Sequence, residues 1–125
     1  KDSFYNIISD LIEKQPNKEI RFSYDIDDSI NWMETPPRVR FHLYRILQEL
    51  IQNIRKHSSA KTAIIKLLQD NSLIKLIVTD NGKVFKNTSK NGIGINNIKS
   101  RLKEINGYLV IKSVNGTKFI ITVKL

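Results

Sequence analysis

The 125 residues contain no cysteine, so neither a disulfide scaffold nor a thiolate metal site is open to this chain. Only two histidines are present, His42 and His57, which argues against a histidine-rich zinc site. Long apolar runs are missing too. None approaches the about 18 residues that a bilayer-spanning helix needs, and no signal-peptide pattern opens the chain. An initiator methionine is lacking at Lys1, and the expectation is a piece excised from a longer protein. Acidic residues are in deficit: 12 Asp and Glu stand against 21 Lys and Arg, a formal charge of +9. That excess favours an anionic partner, whether nucleic acid, acidic lipid or phosphate, and composition does not choose among them. What is present suits one domain. The length falls in the ordinary range, and 40% of the residues are apolar.

Phe4, Ile7, Ile8, Leu11 and Ile12 recur at helical spacing and predict one apolar helix face, ended before Gln15-Pro16. Residues 20–26 alternate with period two, the mark of a half-buried strand. After an irregular connection over 27–35 comes the longest helix. Thr35 is placed to cap it, Pro36-Pro37 suits its first turn, and it runs to about His57. Its buried stripe is read as Val39, Leu43, Ile46, Leu47, Leu50 and Ile54.

Residues 63–68 and 73–79 read as strands joined by a turn at Asp70-Asn71-Ser72; being apolar on both faces, they belong well inside a sheet. The polar, glycine-containing stretch 81–92 reads as a mobile loop. A third helix is marked by Ile95, Ile98, Leu102 and Ile105, with Gly107 as its left-handed cap. Strands over 108–114 and 117–123 flank Asn115-Gly116, a strong hairpin signal. The order predicts an α+β two-layer sandwich: a mixed sheet with helices on one face, forming a single domain over 1–125.

Four polar features are candidates for function. Stepping about 100° per residue along the long helix puts Glu49, Asn53 and Lys56 together on one flank of the buried stripe. Such a set can hold a hydrated cation and an anion, and oxygen ligands suit Mg²⁺ with a phosphate partner. It can equally be a solvated polar ladder. Asp80-Asn81-Gly82 follows an apolar strand, where the aspartate can accept from a ligand amine or simply start a turn. At Asn91-Gly92-Ile93-Gly94-Ile95 a glycine-spaced loop enters a helix whose first amides lack internal partners, a potential phosphate cradle. Gly116-Thr117 reads by itself as a hairpin turn.

In order and spacing these segments resemble the boxes of the GHKL ATP-binding domains. Glu49-Leu-Ile-Gln-Asn53-Ile-Arg-Lys56-His57 is similar to the asparagine box, and Asp80-Asn81-Gly82 to the first glycine box. Gly92-Ile-Gly94-Ile-Asn-Asn-Ile-Lys-Ser-Arg-Leu is similar to the second, and Gly116-Thr117 to the last. Leu43-Tyr-Arg-Ile-Leu-Gln-Glu-Leu and the Lys56-His57 ending most resemble bacterial sensor histidine kinases of the nitrate-sensing and quorum-sensing class.

The resemblance implies a Bergerat-type sandwich that binds ATP and Mg²⁺ under a flexible lid. It implies Asn53 as the Mg²⁺ ligand and Glu49 as holder of a metal-bound water or as a base. Lys56 and His57 would approach the phosphates. Asp80 would accept from the adenine amine, with room left by Gly82 and support from Thr117. Gly92, Gly94 and Ile95 would shape the lid and offer helix-start amides. It implies further a phospho-accepting histidine on missing upstream dimerisation helices, since His42 is followed by Leu43-Tyr44 rather than an acidic residue and arginine. A response-regulator partner, a homodimeric parent in the bacterial inner membrane and a monomeric cytoplasmic fragment complete the expectation.

Three positions depart from the pattern. Val84 stands where a second glycine is usual, Lys86 where an acidic residue is common, and Lys124 where a proline often precedes the last leucine. An anti-sigma-factor-type serine kinase and a degenerate domain that docks partners without ATP turnover stay open as alternatives. A nucleic-acid module would need aromatics interleaved with Lys and Arg on an open face, whereas the aromatics here are scattered.

Overall fold

A computed structural model describes residues 3–16, 19–82, 92–113 and 115–125; the side chains of His57, Gly92 and Ile93 lie outside that description. The elements are α1 (Ser3–Glu13), β1 (Arg21–Ile26), α2 (Pro37–His57), β2 (Thr62–Asp70), β3 (Leu73–Asp80), α3 (Gly92–Lys103), β4 (Gly107–Lys112) and β5 (Thr117–Lys124). The five strands form one sheet in the order β1-β2-β3-β5-β4, parallel between β1 and β2 and antiparallel elsewhere. This is the mixed-sheet α+β arrangement expected.

Strand register sorts every side chain to one of two faces, because successive residues alternate. Ile65, Val78, Phe119 and Ile111 stand in one row, and Leu67, Leu76, Ile121 and Leu109 in the next. This face meets the α2 stripe, together with Ile8 and Ile12 of α1 and Ile95, Ile98 and Leu102 of α3, in one core. Ile51 joins the α2 stripe, which is wider than the sequence suggests because α2 packs against both other helices as well as the sheet. Ile30 and Trp32 anchor the irregular connection, the Trp32 ring lying 4.7 Å from that of Phe4.

Several expectations need correction. β2 and β3 do lie inside the sheet, but their second face is not buried: Ile64 is 44% exposed, because all three helices cover the opposite face. Asp70 still belongs to β2, and the turn falls on Asn71, at φ 57°. In α1, Ile7 faces outward at 48% exposure, and the packed face is Phe4, Ile8 and Ile12 with Ser9. The left-handed residue after α3 is Asn106, at φ 56°, not Gly107, which opens β4. Gly107 is instead needed for a close approach, since a Cβ there would lie 2.7 Å from Leu102 Cδ2.

Thr35 does not cap α2 either. Pro36 occupies the cap position without a side-chain cap bond, while the buried Thr35 hydroxyl donates to the Asn31 carbonyl at 2.9 Å. Thr35→Val is therefore expected to cost about 1 kcal/mol in urea unfolding. Thr35→Ser should retain most of that stability, and Thr35→Asp, a good helix cap, should not.

Candidate functional site

Asp80 ends β3 on the core face, in register with Ala63 on one side and Thr117 on the other. It is 4% exposed, and burial pushes its carboxyl above the usual carboxylate range. Two hydrogen bonds work against that shift: Oδ1 accepts from the Gly82 amide at 2.9 Å and from the Ser58 hydroxyl at 3.2 Å. Ser58 Oγ in turn accepts from the Ala60 amide at 3.0 Å. The two glycines here are set by close packing. A Cβ at Gly82 would overlap Ser58 Oγ, and one at Gly116, whose φ is 127°, would overlap the Asp80 carbonyl. Asn81 closes the corner, its Oδ1 accepting from the amides of Lys61 and Thr62. A buried carboxyl acceptor is thus held in a tight backbone corner.

Ser58 immediately follows α2 and so ties that helix end to the end of β3. About 7 Å of helical rise separates it from Asn53. Asn53 Nδ2 is buried without a hydrogen-bond partner. Against it lies Gly94 in the first turn of α3, where a Cβ would fall 2.7 Å from Asn53 Oδ1. An orphaned buried amide facing a glycine at a helix start is costly in the free chain, by about 1–3 kcal/mol, and fits a ligand that supplies the partner. Glu49, one turn earlier, accepts from Asn97 Nδ2 of α3 at 3.4 Å. Carboxylate and amide oxygens on adjacent turns are the donor type that Mg²⁺ takes. Among the described residues no group of three His, Cys, Asp or Glu gathers into an all-protein metal cage.

Lys56 lies exposed on the same helix. The Ile95 side chain is in the core, so any ligand contact would run through its backbone amide. Gly92 opens α3 instead of belonging to the loop. Residues 83–91, including Val84, Lys86 and Asn91, lie outside the described residues, as does the His57 side chain. Most of the loop expected over 81–92 falls there.

The sequence does not by itself single out Ser58, Asn97 and Arg101. Gly94, Asn97 and Arg101 fall at i, i+3 and i+7, one helix face, and that spacing would have flagged the side of α3 turned to α2. Arg101 borders a groove between the two helices with Arg45 and Glu49, and contacts His42 Nδ1 at 3.4 Å. Burial first, then the Arg101 charge, lowers the His42 pKa; Arg38 lowers it further and Glu104 opposes. With the folded value below the unfolded one, the unfolded chain binds the extra proton. Stability contributed here is complete above about pH 6.5 and is lost as pH falls through the lowered value. His42→Gln is expected to flatten the fall in melting temperature between about pH 7 and pH 5.

Comparison with known proteins gives concordant findings. The family model of the histidine kinase-, DNA gyrase B- and HSP90-like ATPases matches residues 39–125. Sensor histidine kinase LiaS of Bacillus subtilis is 34% identical over 127 residues, covering 100% of this chain and 33% of LiaS. Sensor protein VraS of Staphylococcus haemolyticus is 32% identical over 117 residues, covering 90% of this chain and 32% of VraS. The chain thus spans about a third of the length of these relatives. Among solved structures, the blue-light activated histidine kinase of Erythrobacter litoralis superposes with a TM-score of 0.77 at 14% identity, covering 97% of this chain and 40% of that one; at that identity the likeness speaks for the fold alone.

Proposed function

The chain belongs to the family of histidine kinase-, DNA gyrase B- and HSP90-like ATPases, and from that premise we propose that residues 1–125 are one ATP-binding catalytic domain, part of a longer two-component sensor histidine kinase. The observation that carries the reading is the buried, unpartnered Asn53 amide facing Gly94, in a helix whose end is bonded to Asp80 through Ser58.

Bound ATP with Mg²⁺ supplies the γ-phosphoryl group. Asp80 accepts from the adenine amine, and the Ser58 and Gly82 donors keep its carboxylate oriented. Thr117, its register partner, would support Asp80 and the adenine. Asn53 would offer its amide oxygen to the cation, and Glu49 would hold a water bound to it. In the other role open to it, the Glu49 carboxylate would act as a positioned base toward the acceptor. Lys56 and His57 balance phosphate charge. The amides at Gly92, Gly94 and Ile95, in the first turn of α3, would donate to the phosphates. In-line transfer then needs only that the acceptor be brought to the γ-phosphate, because phosphoryl transfer is mostly positioning and electrostatics.

The acceptor histidine belongs to upstream dimerisation helices of a homodimeric parent seated in the bacterial inner membrane. The phosphoryl group passes from there to a response regulator, and the isolated chain is a cytoplasmic monomer. Among the described residues no helix is long and apolar enough to cross a membrane. The test is incubation of the parent protein with γ-labelled ATP and Mg²⁺. Label that is stable to alkali and lost in acid, and absent from Asn53→Ala, is the expected outcome; alkali-labile label on serine would assign the domain to the serine-kinase alternative.

A further inference from the structure

The sheet face turned away from the helices takes no part in the site above. Its composition is unusual. Register places Ile77, Ile120 and Val110 in one row across three strands, with Ile64 diagonal to Ile77 and Tyr108 at the β4 edge. Tyr108 is 60% exposed and Val110 40%. Around this apolar centre stand Arg21, Lys66, Lys75, Lys112, Lys118 and Lys124, all on the same face by alternation. Asp25, on the edge strand β1 and the register partner of Lys66, and Asp70, at the far end of β2, are the carboxylates that register puts on this face. Lys112 and Lys118 are direct cross-strand partners. Like charges opposed in this way destabilise a sheet pair, and the neighbours continuing their row, Thr79 and Ile64, carry no charge.

We propose that this face is a docking surface for an anionic lipid membrane. Charge complementarity selects an anionic occupant, and the type of cation selects lipid over protein. Five of the six cations here are lysines, while Arg38, Arg40, Arg45, Arg55 and Arg101 all lie on the helices. Lysine is a hydrated point charge on a flexible stem. It meets a fluid array of headgroup phosphates without needing the fixed fork by which arginine reads a single carboxylate. Lysine is also depleted from protein–protein interfaces, where arginine is enriched. The apolar centre with a tyrosine at its edge suits the interfacial zone, where aliphatic side chains enter the headgroup boundary and lysine stems snorkel. A nucleic-acid surface would need several stacking aromatics, and among the described residues Tyr108 is the one aromatic on the exposed part of this face.

The test is flotation of the 125-residue chain with vesicles of phosphatidylcholine containing about one quarter phosphatidylglycerol, against phosphatidylcholine alone, at about 0.1 M salt. Binding to the anionic vesicles only, weakened by added salt, is expected. The double variant Lys66→Glu/Lys118→Glu should weaken partitioning by about twentyfold or more. Lys14→Glu/Lys99→Glu, with the same net charge but altered on the helical side, should stay within about fivefold of the parent. Circular dichroism melts establish that each variant folds, and Lys66→Gln/Lys118→Gln replaces the reversed pair if it does not. No binding to anionic vesicles would overturn the proposal. So would an equal loss in both double variants, or binding to polyglutamate in the absence of vesicle binding, which would make the face a protein-docking surface.

Discussion

Asp80→Asn is expected to melt at a higher temperature than the parent chain at neutral pH, and to bind adenine nucleotide at least about 100-fold more weakly. Both effects have one source. Burial raises the Asp80 pKa, so the folded chain holds that proton more tightly than the unfolded chain does. Stability therefore falls as pH rises from about 4 through the raised value. Asparagine removes the charge while its Oδ1 still accepts from Ser58 and Gly82. It also places an NH₂ where Asp80 offers its second oxygen, so the adenine amine meets a donor instead of an acceptor. Melting curves at about pH 7 and pH 4 check the first half, because the advantage of the variant should narrow toward the lower pH. Calorimetric titration checks the second.

Asn53→Ala is expected to separate stability from binding in the same way. The parent chain buries the Asn53 Nδ2 without a partner. Deleting it removes an unsatisfied donor, an effect of about 1–3 kcal/mol, and alanine adds about half a kcal/mol of helix propensity. The cavity left by the amide offsets part of this gain. The melting temperature should hold or rise by about 2–4 °C. Affinity for the magnesium–nucleotide complex should fall at least about 100-fold, because the variant also lacks the amide oxygen that would serve the cation. A residue kept at a cost to the free chain is what a binding site produces; an equal fall in stability and affinity would mark Asn53 as a packing residue.

How much of this was legible depends on whether the determining contact is local. The α2 stripe and the strand alternation are periodic, and so the sandwich and the flank carrying Glu49 and Asn53 followed from spacing. Ser58 is 22 residues from Asp80 in sequence, and no local pattern joins a serine after a helix to an aspartate at a strand end. Gly107 and Asn106 exchanged roles because packing against Leu102 and Thr122 requires a missing Cβ, while an asparagine tolerates positive φ. The place of Thr35 before Pro36-Pro37 suits a cap, yet the turn it closes gives its hydroxyl a carbonyl acceptor first. In β2 and β3, isoleucines on both faces predicted double-sided burial. Ile64 and Ile77 instead sit on the lysine-rimmed open face, so apolar composition marked two faces that do different things.

The measurement that bears most directly on the account is calorimetric titration of the 125-residue chain with a non-hydrolysable ATP analogue, with and without Mg²⁺, beside Asn53→Ala and Asp80→Asn. Binding at micromolar to submillimolar concentration that depends on magnesium in the parent, and is lost in both folded variants, is the predicted result. It would establish Asp80 and Asn53 as the two ends of one nucleotide site. No heat of binding from the folded parent, or full affinity in either variant, would contradict that claim and leave a GHKL fold whose use lies in docking other proteins.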